Sequence, residues 1–292
     1  MGQRRKRPDS GVKGCLIVDK PSGCTSHDVI DRVRKSLGTR KVGHAGTLDP
    51  DATGVLVLGV GTGTKLLEFV VGADKEYETE ICFGVETSTL DSSGEVTNTF
   101  EMNIEPEQVS EMAKKFVGDI EQIPPMVSAI KVDGKRLHEL AREGIEIERE
   151  PRKVHVSRYD TSPTDKPLIF SAVIECSSGT YVRSLAADLG ASLGGGAHIQ
   201  NLKRNRVGTF LIKDAVKLDD VSADVLRPVK DLLSDMPIIE VGGDVEKKVL
   251  NGQSLSNPPG VGQIGVCNES GSLLAVYETV GDFFKPVKVL PQ

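Results

Sequence analysis

The 292-residue sequence predicts a mixed α/β fold with a small β-rich segment at the C-terminal end. Segments with apolar residues at helical spacing are interleaved with short strand-like runs as far as residue 235, and the pattern changes to short strands beyond Met236-Pro237. Hydrophobic residues make up 38% of the chain and charged residues 27%, which is typical of a globular protein. We therefore expect a disordered basic arm at 1–13, a main domain at 14–235 and a second domain at 236–292.

The main domain begins with a strand and an amphipathic helix. Residues 15–18 are an apolar run that ends in a turn containing proline and glycine, which predicts a short strand. Thr25 or Ser26 can cap the next helix, and apolar residues repeat at helical spacing until Gly38 ends the pattern. Basic side chains lie on this helix and directly after it: Arg32, Arg34, Lys35, Arg40 and Lys41.

A glycine-rich segment follows this helix. Residues 43–54 contain three glycines, one proline and two aspartates, and this composition predicts a loop. The loop leads into the apolar run 55–60, which we interpret as a buried strand. Residues 59–65 are also rich in glycine, but their spacing fits neither a dinucleotide-binding fingerprint nor a P-loop, so a strand-to-helix turn is expected there.

The rest of the chain shows further helix and strand patterns. Pro106 stands at the start of one helical pattern and Gly118 follows it. We expect helices at 106–116, 137–144 and 182–193, a strand at Ile169–Cys176, and C-terminal strands at 264–267 and 273–277.

The cysteine, histidine and apolar patterns argue against several classes of protein. The five cysteines never form a Cys-x-x-Cys pair and the five histidines show no metal-ligand spacing, so we expect neither a disulfide framework nor a metal site. No apolar run approaches the roughly 20 residues that a membrane helix needs, and no apolar segment follows the basic start. We expect a cytoplasmic protein without an export signal and without membrane attachment.

The charge is unevenly distributed. The chain carries a net charge of −6, yet residues 1–50 contain 11 Lys and Arg against 5 Asp and Glu, a net charge of +6. Because phosphate binding needs cations, a basic face on an acidic body favours an RNA-binding protein. A solvated basic helix without a ligand is the alternative.

The two aspartates of the 43–54 loop are candidate catalytic groups. Leu48 gives Asp49 an apolar neighbour and Pro50 restricts the backbone after it, so the Asp49 carboxylate would be held in one direction and partly desolvated. Asp51 is the rival choice, and the sequence alone does not separate the two. An aspartate that only stabilises a turn is the structural alternative.

Six segments of the chain are specific in combination. In order they are 18–23 (VDKPSG) with Thr25-Ser26, 43–50 (GHAGTLDP), 75–77 (KEY), 124–129 (PPMVSA) with Lys131 and Gly134-Lys135, 177–183 (SSGTYVR), and 196–198 (GAH) as far as Leu202. Together they span about residues 14–210 and resemble the TruB family of pseudouridine synthases. Ser178 departs from the pattern, because some family members carry a lysine there, and this puts one phosphate contact in doubt.

The resemblance implies a role for individual residues. Asp49 would be the catalytic aspartate, Tyr77 would stack on the target base and take part in proton handling, and Arg183 would pair with Asp49. The resemblance assigns substrate binding to Tyr77 together with four other residues: Lys20, which supports the active-site loop, His44, which helps to displace the target nucleotide, and Tyr181 and Leu202, which line the uracil pocket.

The resemblance also implies the fold, the reaction and the partners. The fold would be that of the pseudouridine synthases, with a largely antiparallel central sheet and a PUA-like C-terminal domain that binds RNA. The reaction would convert uridine to pseudouridine at position 55 in the T loop of tRNA, after base flipping, without cofactor or metal. A monomer without an obligate protein partner is expected. A guide-RNA-dependent synthase and an RNA-folding chaperone are the alternatives.

Phosphate contacts are expected from two basic regions. One is the helix at 27–37, and the other is the group Lys203, Arg204 and Arg206. Such contacts would recognise the shape of the RNA rather than its base sequence.

Overall fold

The computed structural model describes residues 10–128, 131–132, 135–136, 145, 147–256 and 262–291. The chain folds as two compact units. Unit 1 consists of the described parts of Met1–Pro50, Gly54–Gly72 and Val207–Gln292, and unit 2 consists of the described parts of Asp51–Thr53 and Ala73–Arg206. The division at residue 235 that the sequence suggests stays a prediction.

Helices and strands alternate along the described chain. The α-helices are α1 Ser26–Leu37, α2 Leu67–Val71, α3 Pro106–Lys114, α4 Val182–Ser192 and α5 Gly243–Leu250. Short 3₁₀ helices are Gly61–Leu66, Ile212–Asp214, Leu218–Asp220, Ala223–Val225 and Val229–Leu233. Within the described ranges, no helix combines the length and the apolar character that crossing a membrane would require.

The strands are numbered in chain order. Those of the first half are β1 Gly14–Lys20, β2 Val42–His44, β3 Thr53–Val60, β4 Lys75–Phe83, β5 Val85–Thr87, β6 Val96–Thr99, β7 Gly118–Gln122, β8 Lys131–Val132 and β9 Lys135–Arg136. Those of the second half are β10 Arg152–Pro163, β11 Ile169–Cys176, β12 Ala197–Val207, β13 Phe210–Leu211, β14 Val216–Lys217, β15 Ile238–Val241, β16 Leu255–Ser256, β17 Gln263–Asn268, β18 Leu273–Val280 and β19 Phe283–Val289.

The sheet of unit 1 carries helix α1 on one face. Strand β1 pairs with β3 in an antiparallel register from Gly14↔Val60 to Lys20↔Gly54, and it pairs with β14 in parallel. The buried face of α1 packs against this sheet in one apolar cluster, to which the helix contributes Val29, Ile30, Val33 and Leu37. The sheet and the helix therefore bury a common core that fixes both flanks of the 43–54 segment.

Helix α1 begins and ends as its sequence predicts. Thr25 is the N-cap, its side chain accepts a hydrogen bond from the Asp28 amide, and the Asp28 carboxylate accepts from the Thr25 amide in return. Gly38 ends the helix in the left-handed conformation, with φ 65°. The hydrogen bond from Thr25 lowers the pKa of the Asp28 carboxyl.

The C-terminal part of unit 1 is a second sheet. Its strand order is β15-β17-β18-β19-β16, and helix α5 packs against β18 and β19. The core of this sheet is made by apolar side chains such as Ile264, Val266 and Leu274, and it includes Tyr277, whose hydroxyl donates to the Gln253 carbonyl at 2.9 Å. The expected β-rich C-terminal segment is confirmed.

Unit 2 is built on a largely antiparallel sheet, as expected. The strand order is β12-β4-β11-β10-β7, and β4, β11, β10 and β7 pair in antiparallel succession. Buried and less buried residues alternate along β11, which is the period of a strand with one face on a core. Helix α3 packs on β10 and on α4, and this arrangement covers one face of the sheet.

Several predicted boundaries shift by a few residues. The strand Ile169–Cys176 is confirmed at both ends, and the helix predicted at 106–116 ends at Lys114. The loop predicted at 43–54 is shorter, because Gly43 and His44 pair with β3 and Thr53 already belongs to that strand. Residues 1–9 of the predicted arm and the whole of the helix predicted at 137–144 lie outside the described residues. The last part of the predicted arm is ordered on α1, because the Ser10 hydroxyl donates to the Leu37 carbonyl at 2.8 Å.

Gly190 in α4 lies where the start of β12 crosses the helix. A Cβ atom at Gly190 would lie 2.5 Å from the backbone nitrogen of Ala197, and backbone cannot move aside as a flexible side chain can. We expect Gly190→Ala to lower the free energy of unfolding by about 1–3 kcal/mol, the usual cost of overpacking, measured by urea denaturation.

Gly72→Ala is the matched control. A Cβ at Gly72 meets nothing within 4 Å, and Gly72 has a φ of −74° that alanine adopts readily. This variant should be neutral or more stable by up to about 1 kcal/mol. Equal stabilities of the two variants would contradict the close approach of α4 and β12.

Candidate active site

Asp49 lies in the loop that joins β2 to β3. Three apolar residues of the same loop, Ala45, Leu48 and Ala52, are buried, with Leu48 only 3% exposed, whereas Asp49 itself is half-buried. Gly46 and Gly54 have φ of 97° and 100°, a left-handed backbone that favours glycine, and they turn the chain on either side of the aspartate. The apolar neighbours therefore anchor the loop and leave its carboxylate partly accessible.

Buried polar side chains hold the backbone on both sides of Asp49. The Ser26 hydroxyl accepts from the Leu48 amide at 2.9 Å and donates to the Leu48 carbonyl at 3.2 Å. The Lys20 ammonium donates to the carbonyls of Pro21 at 3.0 Å and Pro50 at 2.9 Å, and it is fully buried. The residues before and after Asp49 are thus fixed to β1 and to the first turn of α1.

His44 is the last residue of β2. It pairs with Leu58 of β3 and is half-buried. The rings of His44 and His27 lie edge to face, with centroids 6.0 Å apart, so the exposed His27 of α1 stands beside it. The two imidazoles form a small polar and aromatic surface within unit 1.

Tyr77 lies on β4 with its side chain buried to 8% exposure. It is paired with Ile174 of β11, and it shares its face of the strand with Lys75 and Thr79, which are also buried. Burial, together with the nearby charge of Arg204, lowers the pKa of the Lys75 ammonium to about 8. The Tyr77 face of the sheet therefore has a low dielectric and holds positive charge.

Arg183 stands in the first turn of α4 and is 4% exposed. Its guanidinium donates to the carbonyls of Thr89 at 2.9 Å and Val127 at 2.8 Å, and it lies 3.5 Å from the Asp91 carboxylate. The other Asp91 oxygen accepts from the Thr89 hydroxyl at 2.6 Å. These partners hold the guanidinium in one orientation, which is what a cation that orients a reacting group requires. The expected pairing with Asp49 stays a prediction.

Tyr181 is the N-cap residue of α4, and its backbone is held by Gln122 at the end of β7. The Gln122 side chain accepts from the Tyr181 amide at 2.8 Å and donates to the Tyr181 carbonyl at 3.0 Å. Gln122 is 2% exposed, so this amide pair is shielded from water. Sequence reasoning missed Gln122, as it missed Asp91, because neither residue belongs to a periodic or spaced pattern.

Strand β12 carries Leu202 and the second expected basic region. Leu202 and Lys203 are half-buried, and Arg206 is 2.6 Å from Glu175. Arg204 is only 1% exposed, so the expected phosphate contact from Arg204 is wrong. The physical reason is that Arg204 is buried, as Lys75 and Tyr77 of the neighbouring strand are, rather than exposed to solvent.

The exposed side of α1 remains a basic surface. Arg32 and Lys35 are exposed on the helix, and Arg40 and Lys41 are exposed directly after it. Arg32 lies 3.8 Å from Asp219, a contact between two exposed charges that is easily exchanged for a phosphate. The distribution fits the expected phosphate-binding role of this helix, which stays a prediction.

The structure groups the predicted residues by unit. Lys20, His44 and Asp49 belong to unit 1, and Tyr77, Tyr181, Arg183 and Leu202 belong to unit 2. Among the described residues, no group of three or more His, Cys, Asp or Glu side chains is arranged to hold a metal ion.

Two family models together match residues 34–236 of this chain. The model described as TruB family pseudouridylate synthase (N terminal domain) matches residues 34–182, and the tRNA pseudouridylate synthase B C-terminal domain matches residues 183–236. A protein of Symbiobacterium thermophilum named tRNA pseudouridine synthase B is 46% identical over 86% of this chain and 86% of its own length. This chain belongs to the TruB family. A Ralstonia nicotianae member with the same name is 39% identical over 99% of this chain and 97% of its own length.

Solved structures of lower identity share the fold of this TruB family member. A Cbf5-Nop10-Gar1 complex contains a chain with a TM-score of 0.74 and 23% identity, covering 94% of this chain and 84% of that one. An H/ACA RNP bound to a substrate RNA that contains 2′-deoxyuridine gives a TM-score of 0.73 and 21% identity, with 96% and 85% covered. At this identity the likeness concerns the fold. The pseudouridine synthase fold that the sequence predicts is confirmed.

The buried Lys75 predicts a pH dependence of stability. Its ammonium has a pKa of about 8 in the folded chain and an ordinary pKa of 10.5 in the unfolded chain. Between these pH values Lys75 is therefore mostly protonated in the unfolded state and mostly neutral in the folded state. The stability of the wild type should therefore rise relative to Lys75→Met between pH 8 and 10.5, by up to about 3 kcal/mol. Urea denaturation of both proteins across this range measures the difference. A difference that stays constant would contradict the lowered pKa.

Proposed function

We propose that this chain converts uridine to pseudouridine at position 55 in the T loop of tRNA, with Asp49 as the catalytic carboxylate. The observation that carries the proposal is the fixed loop, in which buried Ser26 and Lys20 hold the backbone on each side of Asp49. Membership of the TruB family supports the reaction. The substrate is supported by relatives named tRNA pseudouridine synthase B that align with nearly the whole chain.

The reaction is an isomerisation within one nucleotide. The bond between C1′ and N1 breaks, the uracil turns, and a bond between C1′ and C5 forms, while C5 loses a proton and N1 gains one. No electrons are exchanged with another molecule and no group is consumed, so the proposed mechanism includes no cofactor. The reaction needs a carboxylate to attack the base or the sugar, or to remove a proton, and a platform that holds the detached uracil.

Asp49, Tyr77 and Arg183 supply these groups in the proposed mechanism. Asp49 is held in one direction because the backbone on both sides of it is fixed by Ser26 and Lys20. The buried Arg183 guanidinium keeps the carboxylate ionised and oriented, and its own orientation is supported by two backbone carbonyls. Tyr77 stacks on the target base and takes part in proton handling.

The target base must leave the folded T loop before it can react. Base flipping costs a few kcal/mol in unstacking, and replacement contacts from aromatic and polar side chains repay that cost. We assign this role to His44 and Tyr181, with Leu202 as an apolar wall of the uracil pocket. The exposed basic side of α1 would contact the phosphates of the T stem-loop.

The proposed enzyme acts as a monomer, without a guide RNA or an obligate protein partner, in the cytoplasm. The relatives that support this view are named tRNA pseudouridine synthase B. The structural neighbours from multi-protein complexes share the fold only. A guide-dependent enzyme and an RNA chaperone remain the rival functions, and the experiment below separates them.

The test compares Asp49→Asn with Asp51→Asn. Asp51 is the neighbouring, exposed aspartate of the same loop, so the two variants carry the same chemical change. We expect Asp49→Asn to abolish tritium release from 5-tritiated uridine in an unmodified T-stem-loop RNA, because the reacting carboxylate is lost. Asp51→Asn should keep the rate within about threefold of the wild type.

The assay uses purified protein alone, and filter binding measures the RNA affinity of each variant. The affinity of Asp49→Asn should stay within a few-fold of the wild type, because one carboxylate contributes little to phosphate binding. Loss of turnover in Asp51→Asn instead would reverse the assignment. Tight RNA binding without release by the wild type would favour the guide-dependent or chaperone function.

A further inference from the structure

Strand β12 contains a residue in an uncommon backbone conformation. Asn201 has a φ of 57°, in the left-handed region, and it lies in the interior of Ala197–Val207. Among the described residues only Leu90 and Leu168 are other non-glycine residues with positive φ. Asparagine tolerates this conformation better than most residues, but a strand interior has no need of it unless the strand is interrupted.

The side chains of β12 change faces at Asn201. Gln200 and Asn201 are consecutive, yet both side-chain amides donate to the same Glu80 oxygen, at 2.6 and 2.9 Å. Consecutive residues of a regular strand point to opposite faces. Further along, Asn205 donates to Glu78 at 3.3 Å, and Glu78 shares its face of β4 with Glu80. The positions that meet the glutamates are thus even before Asn201 and odd from Asn201 to Asn205. The alternation changes again at Arg206, which meets Glu175 across from Glu76.

The burial of β12 shows the same change. Ala197 and Ile199, at odd positions, are buried before Asn201, and Arg204, at an even position, is buried after it. Beyond the second change at Arg206, the odd-numbered Val207 is buried again. One residue has been inserted relative to the alternation, which is the effect of a β-bulge. The bulge is supported from β4 on both sides, because the Thr79 hydroxyl donates to the Gln200 carbonyl at 2.8 Å while Glu80 holds the two amides.

The bulge decides which face of the sheet Leu202 occupies. On β4, Glu78 and Glu80 point to one face, and Tyr77 points to the other with Lys75. Arg204 is buried, as Lys75 and Tyr77 are, whereas Glu78 is exposed, so Arg204 belongs to the Tyr77 face. Leu202 is two residues from Arg204 and therefore shares that face. Without the bulge, Leu202 would follow Gln200 onto the glutamate face.

We propose that Asn201, held by Glu80, is a positioning residue that turns Leu202 onto the Tyr77 face of the sheet, where Leu202 forms a wall of the uracil pocket. This inference rests on the proposed function for the pocket itself. The bulge and its hydrogen bonds do not depend on that function. Neither Asn201 nor Glu80 contacts the reacting atoms in this account, since both act through the direction of Leu202.

The test compares two substitutions of asparagine by valine on the same strand. Asn201→Val places a β-branched residue where φ is positive, which valine strongly disfavours, whereas Asn205 is a half-buried residue without positive φ. We expect Asn201→Val to lower kcat for tritium release by at least about fivefold, with KM changed less than about threefold. Asn205→Val should stay within about twofold of the wild type, and Asn201→Gly, which keeps the left-handed backbone, should retain most of the activity.

A double-mutant cycle tests whether Asn201 acts through Leu202. Once Leu202→Ala has removed the wall, Asn201→Val should lower kcat by no more than about twofold further. The same loss in both backgrounds, or full activity of Asn201→Val alone, would overturn the inference. Thermal melting of each variant identifies a general loss of folding. If Asn201→Val does not fold, Glu80→Ala replaces it in the test, because it removes the shared hydrogen-bond acceptor without adding bulk.

A crystal structure of the full-length Asn201→Val or Glu80→Ala protein separates this inference from the proposed function. Leu202 on the glutamate face would support the positioning role even if the wild type released no tritium, a result that would count against the proposed function alone. Leu202 unmoved in both variants would refute the role of the bulge whatever the activity.

Discussion

The buried Lys20 ammonium is the contact on which the candidate site depends. A cation removed from water is very costly unless its donors are satisfied, and here two are satisfied by the carbonyls of Pro21 and Pro50. Because Pro21 begins the turn before α1 and Pro50 follows Asp49, this one side chain connects the turn to the loop. Ser26 adds two hydrogen bonds to Leu48 on the other side of the aspartate. The position of the Asp49 backbone is therefore fixed by groups that are themselves fixed in the core.

Buried polar side chains also hold backbone groups in unit 2. Gln122 binds the peptide group of Tyr181, and Arg183 binds the carbonyls of Thr89 and Val127. In each case a buried polar side chain satisfies backbone groups that would otherwise be unpaired in a region of low dielectric. Such contacts stabilise one arrangement of the chain without covering the side chains that they position. Preorganisation of this kind suits a reaction to which the protein contributes mainly the orientation of groups and electrostatic stabilisation.

The two faces of the unit 2 sheet have opposite character. One face presents Glu78 and Glu80, with Asn205, Gln200 and Asn201 as their partners, and the other buries Lys75, Tyr77 and Arg204. The whole chain carries a net charge of −6, but residues 1–50 carry +6, and α1 in that part of the chain presents Arg32 and Lys35 to solvent. Net charge alone would therefore misrepresent the ligand of this chain.

The sequence by itself determined the fold class, the bounds of α1 and β11, the β-rich C-terminal segment and the family. Each of these rests on local signals: apolar periodicity, caps, turn residues and short motifs. Only the tertiary structure decided which groups support the site. Gln122 and Tyr181 are 59 residues apart, Arg183 and Thr89 are 94 apart, and Gln200 and Glu80 are 120 apart, so no local pattern records these contacts. The burial of Arg204 was missed for a related reason. The left-handed residue Asn201 inserts one position into β12 and reverses which side chains after it are buried. The position of this bulge depends on the neighbouring strand, so the alternation of buried and exposed residues along β12 cannot be predicted from its own sequence.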